Sequence, residues 1–492
     1  MNIANLDFSK IGELLTYHRE SPLLFSSGLF LFLFLGFSLV YQLVNKNNTA
    51  KFIFVTAFSF FFYYKSSGFY FLLLLLTSVV DYAMGLLIYK AKSRLYKRVF
   101  VSISICFSLG LLGYFKYTNF LYDIYCNIAN QPFKAFDIIL PVGISFFTFQ
   151  SLSYTIDIYR GMIKPLHRWL DFAFFVSFFP QLVAGPIVRA RDFIPQMYKK
   201  TFVTKEMFGM AIFLIMTGVF KKAVISDYIS INFVDRIFDN PALYSGLEIL
   251  MAIYGYAMQI YCDFSGYSDM AIGIALLLGF HFNINFNSPY KSLDITEFWR
   301  RWHISLSTWL RDYLYISLGG NRKGKVRTYV NLFLTMLIGG LWHGASFRFI
   351  LWGAIHGIAL IIHKFFRTLF PKDKSSRLKN ILALLLTFHI VVLAWIPFRA
   401  DNMEIAGTMI SRLFTSFHSE LLFQVFNGYG LVLGLIGLGY LLHFVPEKWE
   451  LRIKERVVSL PFVVQVLMLT LMILIIFQFK SATVQPFIYF QF

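Results

Sequence analysis

The chain has 492 residues, 57% hydrophobic, 19% aromatic and only 14% charged, with its apolar residues in blocks rather than helical stripes; this excludes an ordinary soluble domain. Its formal net charge of +19 sits on Lys and Arg between those blocks, where topology and anionic headgroups account for it, so membrane lipid is the expected partner and nucleic acid is not. Cys106, Cys126 and Cys262 are too few and too scattered for a disulfide framework and form no C-x-x-C pair, so no metal site is expected.

The first apolar run, residues 23–43, is long enough to span and has no small-residue cleavage site after it, so it reads as a retained first helix. Further blocks follow at 52–64, 69–89, 99–117, 138–149, 172–182, 208–225, 250–280, 329–341, 349–362, 381–395, 431–443 and 463–477. Several are shorter than the roughly 20 residues a span needs, and partial or re-entrant helices are expected. The fold class is an all-α polytopic integral membrane protein with about 11–14 membrane helices. Residues 1–492 read as one membrane domain: N-terminal helices over 1–135, a motif-bearing core over 136–370, and C-terminal helices with an aromatic tail over 371–492.

Basic connections at Lys46 and Lys51, at Lys90, Arg94 and Arg98, and at Arg160, Lys164 and Arg168 alternate with poorly charged ones near 66–68 and 119–132. The positive-inside rule places the basic set in the cytoplasm and the N-terminus outside. Residues 321–327 (NRKGKVR), 364–379 and 448–456 are also basic, and a last outward helix leaves 485–492 extracytoplasmic. His343 lies between two of these cytoplasmic connections. Fifteen residues of helix before it climb about 22 Å, short of a core roughly 30 Å thick, so His343 is expected deep, near the apex of a helical hairpin.

An ionisable group at membrane depth is costly and usually has a task. A neutral imidazole can take the proton of an attacking hydroxyl, and Gly339, Gly340 and Gly344 leave room for a ligand beside His343; packing against a neighbouring helix is the other reading. His303 lies in 298–315 (FWRRWHISLSTWLRDYLY), expected as an amphipathic helix at the interface, where a histidine beside Arg301 and Trp302 is ordinary. His356 and His363, seven apart on one helical face, are expected to pack. In 261–273 (YCDFSGYSDMAIG), Asp263 and Asp269 suggest a broken helix lining a polar cavity or, alternatively, two structural hydrogen-bond anchors. Arg189 and Arg191, after Gly185-Pro186, could meet phosphates or anchor at headgroups.

Four segments, FFPQLVAGPIVRARDF (178–193), DFSGYSDMAIGIALLLGF (263–280), FWRRWHISLSTWLRDYLYISLGGNRKG (298–324) and GGLWHGASFRFILWGAIHG (339–357), resemble the membrane-bound O-acyltransferases. The similarity is to the bacterial branch that contains the alginate O-acetyltransferase membrane subunit, and it covers most of the chain. It implies a central membrane funnel and transfer of an acyl group from a cytoplasmic donor to a hydroxyl. The catalytic histidine of the W-H-G motif maps to His343, and that of the R-W-H-x-S-L motif to His303. Arg300, Arg301, Lys323, Trp342 and Asp269 are the candidates for binding donor or substrate.

The resemblance also implies no bound cofactor but acetyl-coenzyme A or another acyl thioester as co-substrate. The expected partners are an extracytoplasmic hydrolase-type acyltransferase and a polysaccharide acceptor, and the expected location is the bacterial cytoplasmic membrane. The tail 486–492 (PFIYFQF) resembles aromatic tails proposed as acyl carriers, which would make Tyr489 the acceptor of the acyl group; interfacial anchoring is its other reading. D-alanyl transfer to teichoic acid competes within the enzyme class. A transporter or flippase of lipid-linked sugars competes from outside it.

Overall fold

The computed structural model describes residues 8–19, 22–183, 185–200, 202–370 and 376–479. Among them there is no β-strand. Six helical stretches are long and apolar enough to cross a membrane: Asn48–Lys90, Arg94–Ile128, Lys205–Asp239, Phe347–Leu369, Arg377–Arg399 and Ser419–Phe444. A bent pair, Glu447–Ser459 and Phe462–Ile476 at 115°, can supply a seventh. The protein is therefore a multi-pass membrane protein; of the other apolar blocks, 250–280 and 329–341 lie in the long helices Gly246–Leu277 and Gly324–His343, and 172–182 in the short ones Trp169–Ser177 and Phe179–Leu182.

The chain divides into two compact units, Met1–Phe202 and Val203–Phe492. In the first, helices α1 (Phe71–Lys90), α2 (Arg94–Ile128) and α3 (Ile144–Tyr159) enclose a polar knot. Asp81 accepts hydrogen bonds there from Ser104 at 2.6 Å, Ser108 at 3.2 Å and Ser151. The apolar block at 138–149 does not become one helix, because Pro141 and the left-handed Gly143 (φ 72°) hold the chain extended until Ile144. A Cβ on Gly143 would lie 2.8 Å from the Leu182 carbonyl oxygen, so only glycine fits that turn. Arg189 is buried in this unit, and Arg191 faces its neighbour Asp192 at 3.7 Å.

In the second unit, α4 (Lys205–Val219) crosses α5 (Gly246–Leu277) at Gly218 and Gly266, where a Cβ on either would lie 2.5–2.6 Å from the other's carbonyl oxygen. That close approach and the π-helical stretch Phe220–Ser226 bring two lysines onto α5. Lys222 meets Asp263 at 2.5 Å and Asp227 at 2.8 Å, and Lys221 meets Asp269 at 2.7 Å. The helix expected to break over 261–273 does not: α5 runs unbroken, and Asp263 and Asp269 pair with lysines of the neighbouring span.

The single interfacial helix expected over 298–315 does not form. Trp302 is extended (ψ 128°) and His303 left-handed (φ 42°, ψ 56°), which splits the segment into α6 (Ile295–Arg301), α7 (Ile304–Trp309) and a π-helical turn, Leu310–Tyr315. The preceding loop takes up the backbone groups freed by the break: Ile304 N–H donates to the Asn285 carbonyl and Asn287 N–H to the Arg301 carbonyl, both at 2.9 Å. Phe298, Trp302 and His303 consequently turn into the protein rather than lying along headgroups.

Candidate active site

His343 is the last residue of α8 (Gly324–His343), and α9 (Phe347–Leu369) returns from it after a three-residue turn, the hairpin the sequence predicts. Glycines press the two helices together. A Cβ on Gly340 would lie 2.3 Å from the Phe349 carbonyl oxygen, and one on Gly353 2.5 Å from that of Met336. The turn leaves His343 only 4% exposed, with its ring 4.9 Å from that of Trp342, 5.0 Å from Trp352 and 5.3 Å from Phe398, the last on α10 (Arg377–Arg399). An imidazole walled by aromatics at these distances has little rotational freedom and a low-dielectric surround.

An opening reaches it. A cavity of about 430 Å³ is lined by His343, Gly339, Met336, Leu310, Ser307 and Trp352 at its inner part, and by Arg300 and Lys364 farther out. A second cavity, about 680 Å³, shares Arg300, Lys364, Thr296, Leu332 and Leu360 with the first and adds Asp294, Glu297, His363 and Arg367. The two adjoin along α8 and α9 as one passage, with Arg300, Lys364 and Arg367 standing among Asp294 and Glu297 away from the hairpin turn and His343 at that turn. The sequence had suggested Arg300 for this role but not Lys364 or Arg367. Their signal was present: Lys364 stands four and eight positions after Leu360 and His356, on one face of α9.

His303 is fully buried at the α6–α7 break. Its left-handed backbone costs of order 1–3 kcal/mol in a non-glycine residue, strain that clusters at functional sites. Burial pushes its imidazole down to about 3, so the ring is neutral at physiological pH. Neither His303 nor Trp342 lines the two cavities; Trp342 lies between the histidines, 6.3 Å from the ring of His303 and 4.9 Å from that of His343.

The other candidates separate. Arg301 is held by Glu297 at 2.9 Å and donates to the Asn287 carbonyl at 3.1 Å, so it braces α6. Lys323 folds over Gly319, and neither it nor Asp269 lines the passage. Tyr489 lies outside the described residues. His356 packs as expected, between Trp299 at 5.1 Å and Trp352 at 4.7 Å. His363 does more than pack: it lines the outer cavity, hydrogen-bonded to Thr296 at 2.9 Å and 3.6 Å from Asp294.

The deep histidine and its hairpin fall within residues 163–396, which match the membrane-bound O-acyltransferase family. The chain belongs to that family and is an acyltransferase, which sets aside the transporter reading. It is 43% identical to the probable alginate O-acetylase of Pseudomonas aeruginosa over 85% of this chain and 80% of that one. It is 39% identical to the peptidoglycan O-acetyltransferase of Helicobacter pylori over 80% of each. The teichoic acid D-alanyltransferase of Bacillus subtilis is 33% identical over 51% of this chain and 66% of its own length.

Proposed function

We propose that this protein takes an acetyl group from a cytoplasmic thioester, most simply acetyl-coenzyme A, and passes it through the bacterial cytoplasmic membrane for O-acetylation of an extracytoplasmic polysaccharide. The observation that carries this reading is the pair of adjoining cavities, one lined by Arg300, Lys364 and Arg367 and the other reaching His343. Guanidinium and ammonium groups suit the phosphates of a nucleotide-bearing thioester, and the apolar inner wall suits an acetyl group.

His343 acts as general base: it takes the proton of the acceptor hydroxyl as that oxygen attacks the thioester carbonyl. The tetrahedral intermediate then expels the thiolate, which takes the proton back from His343. The acceptor is a hydroxyl presented from the other side, Tyr489 or that of an extracytoplasmic partner. Water kept out by the aromatic wall protects the thioester from hydrolysis. Acetate is favoured over D-alanine because the relatives named for acetyl transfer align over four-fifths of this chain, whereas the D-alanyl relative aligns over about half.

Ester-linked acetate and alanine should be quantified on envelope and secreted polymers from cells with the intact chain, with His343→Ala and with none. Acetate in the first alone is expected, with the variant inserted at normal level. Alanine instead of acetate would move the donor to an alanyl thioester, and a fully active His343→Ala would remove the base assigned here.

A further inference from the structure

Which nitrogen of His303 holds the proton is decided by one amide. Asn285 is 1% exposed, in the loop after α5, and its Oδ1 receives the backbone N–H of Ser305 at 3.2 Å and the Ser305 hydroxyl at 2.9 Å. A backbone N–H can only donate, so the amide atom facing it is the oxygen and the orientation of the amide is unambiguous. The amide nitrogen points the other way and donates to Ser268 Oγ on α5 at 3.2 Å. His303 Nδ1 lies 3.2 Å from that same Oδ1 and 3.4 Å from the Ser305 hydroxyl oxygen, whose own hydrogen is given to Oδ1. An acceptor already fixed as oxygen requires a donor, so Nδ1 bears the hydrogen and Nε2 holds the lone pair.

We propose that Asn285 is a positioning residue of the acyl-transfer site, locking His303 as its Nδ1-protonated tautomer so that Nε2 is presented as an acceptor. The proposal rests on the reading of His303 as part of that site. Three features serve this end. The backbone break at Trp302–His303 lets the ring reach the amide, the Ile304 N–H on the Asn285 carbonyl at 2.9 Å holds the loop against α7, and the ring of Phe264, 4.6 Å away, fixes the imidazole plane. An Nε2 lone pair can orient a hydroxyl; a ring protonated there would instead repel the hydroxyl's hydrogen.

The test uses the full chain in lipid, labelled with ¹³C,¹⁵N-histidine. The resonances of His303, found by their absence in His303→Gln, should show an Nδ1-protonated, Nε2-unprotonated ring. Asn285→Ala should give a mixture and reduce polymer-linked acetate about tenfold or more. Asn285→Asp, which retains the acceptor oxygen, should keep the tautomer and most of the acetate. An Nε2-protonated ring in the intact chain overturns the proposal. So does undiminished acetate in Asn285→Ala when His303→Ala is inactive, or an Asn285→Asp as inactive as Asn285→Ala when both insert and melt like the intact protein. A fully active His303→Ala would instead overturn the catalytic reading of His303, while the spectrum still reports the tautomer.

Discussion

Gly339 stands one turn before His343 on the wall of the inner cavity, and a Cβ there would already lie 3.2 Å from Leu310 Cδ1. Gly339→Leu should therefore fill the space beside His343, abolishing acetyl transfer with little loss of stability; retained transfer would show that the acetyl group lies elsewhere. His303 gives a second residue-level expectation. Buried neutral, it adds stability that is fully present above pH 6.5 and declines as pH falls toward about 3, because the unfolded chain takes up a proton the folded one refuses. At pH 5 the loss is about 2 kcal/mol. The fall in melting temperature between pH 7.5 and pH 5 should thus be smaller in His303→Asn than in the intact chain, and equal falls would contradict a neutral buried ring.

At the scale of elements, the α4–α5 crossing is held by charge as well as by glycine. Asp263→Ala leaves Lys222 buried with Asp227 as its remaining partner and should cost about 3 kcal/mol, read as a lower melting temperature of the purified chain. Lys222→Met together with Asp263→Leu should recover more than half of that; if the double variant is the less stable, the pair is worth more than its desolvation. The α8–α9 hairpin was legible in the sequence, since basic connections bracket two apolar runs and the glycines fall at the contact. The α6–α7 break was not. A period-3.6 pattern of aromatics and arginines reads as one helix, and the break depends on a loop 14 to 20 residues away whose carbonyls and amide become visible only once folded.

For the whole molecule, composition decided the class, and four motifs decided the family, because both depend on residue types rather than on contacts. The charged cavity was only partly legible. Arg300 and Arg301 are adjacent in sequence, yet one faces the cavities and the other braces its own helix, a difference set by where Glu297 falls. With Arg300, Lys364 and Arg367 outnumbering Asp294 and Glu297 in that cavity, attraction for a polyanionic donor acts over a distance comparable to the Debye length. The apparent KM for acetyl-coenzyme A should rise several-fold between about 0.05 M and 0.5 M salt, with kcat little changed. Insensitivity to salt would place the phosphates away from those three residues.

Five of the eight tryptophans, Trp299, Trp302, Trp342, Trp352 and Trp395, stand around the histidines, several with ring centroids 5–6 Å apart. Indoles this close exchange excitation energy, and neutral and protonated imidazoles quench them differently. The emission of the unlabelled protein is therefore weighted toward the site, and donor entry and turnover can be followed by light without attaching a probe.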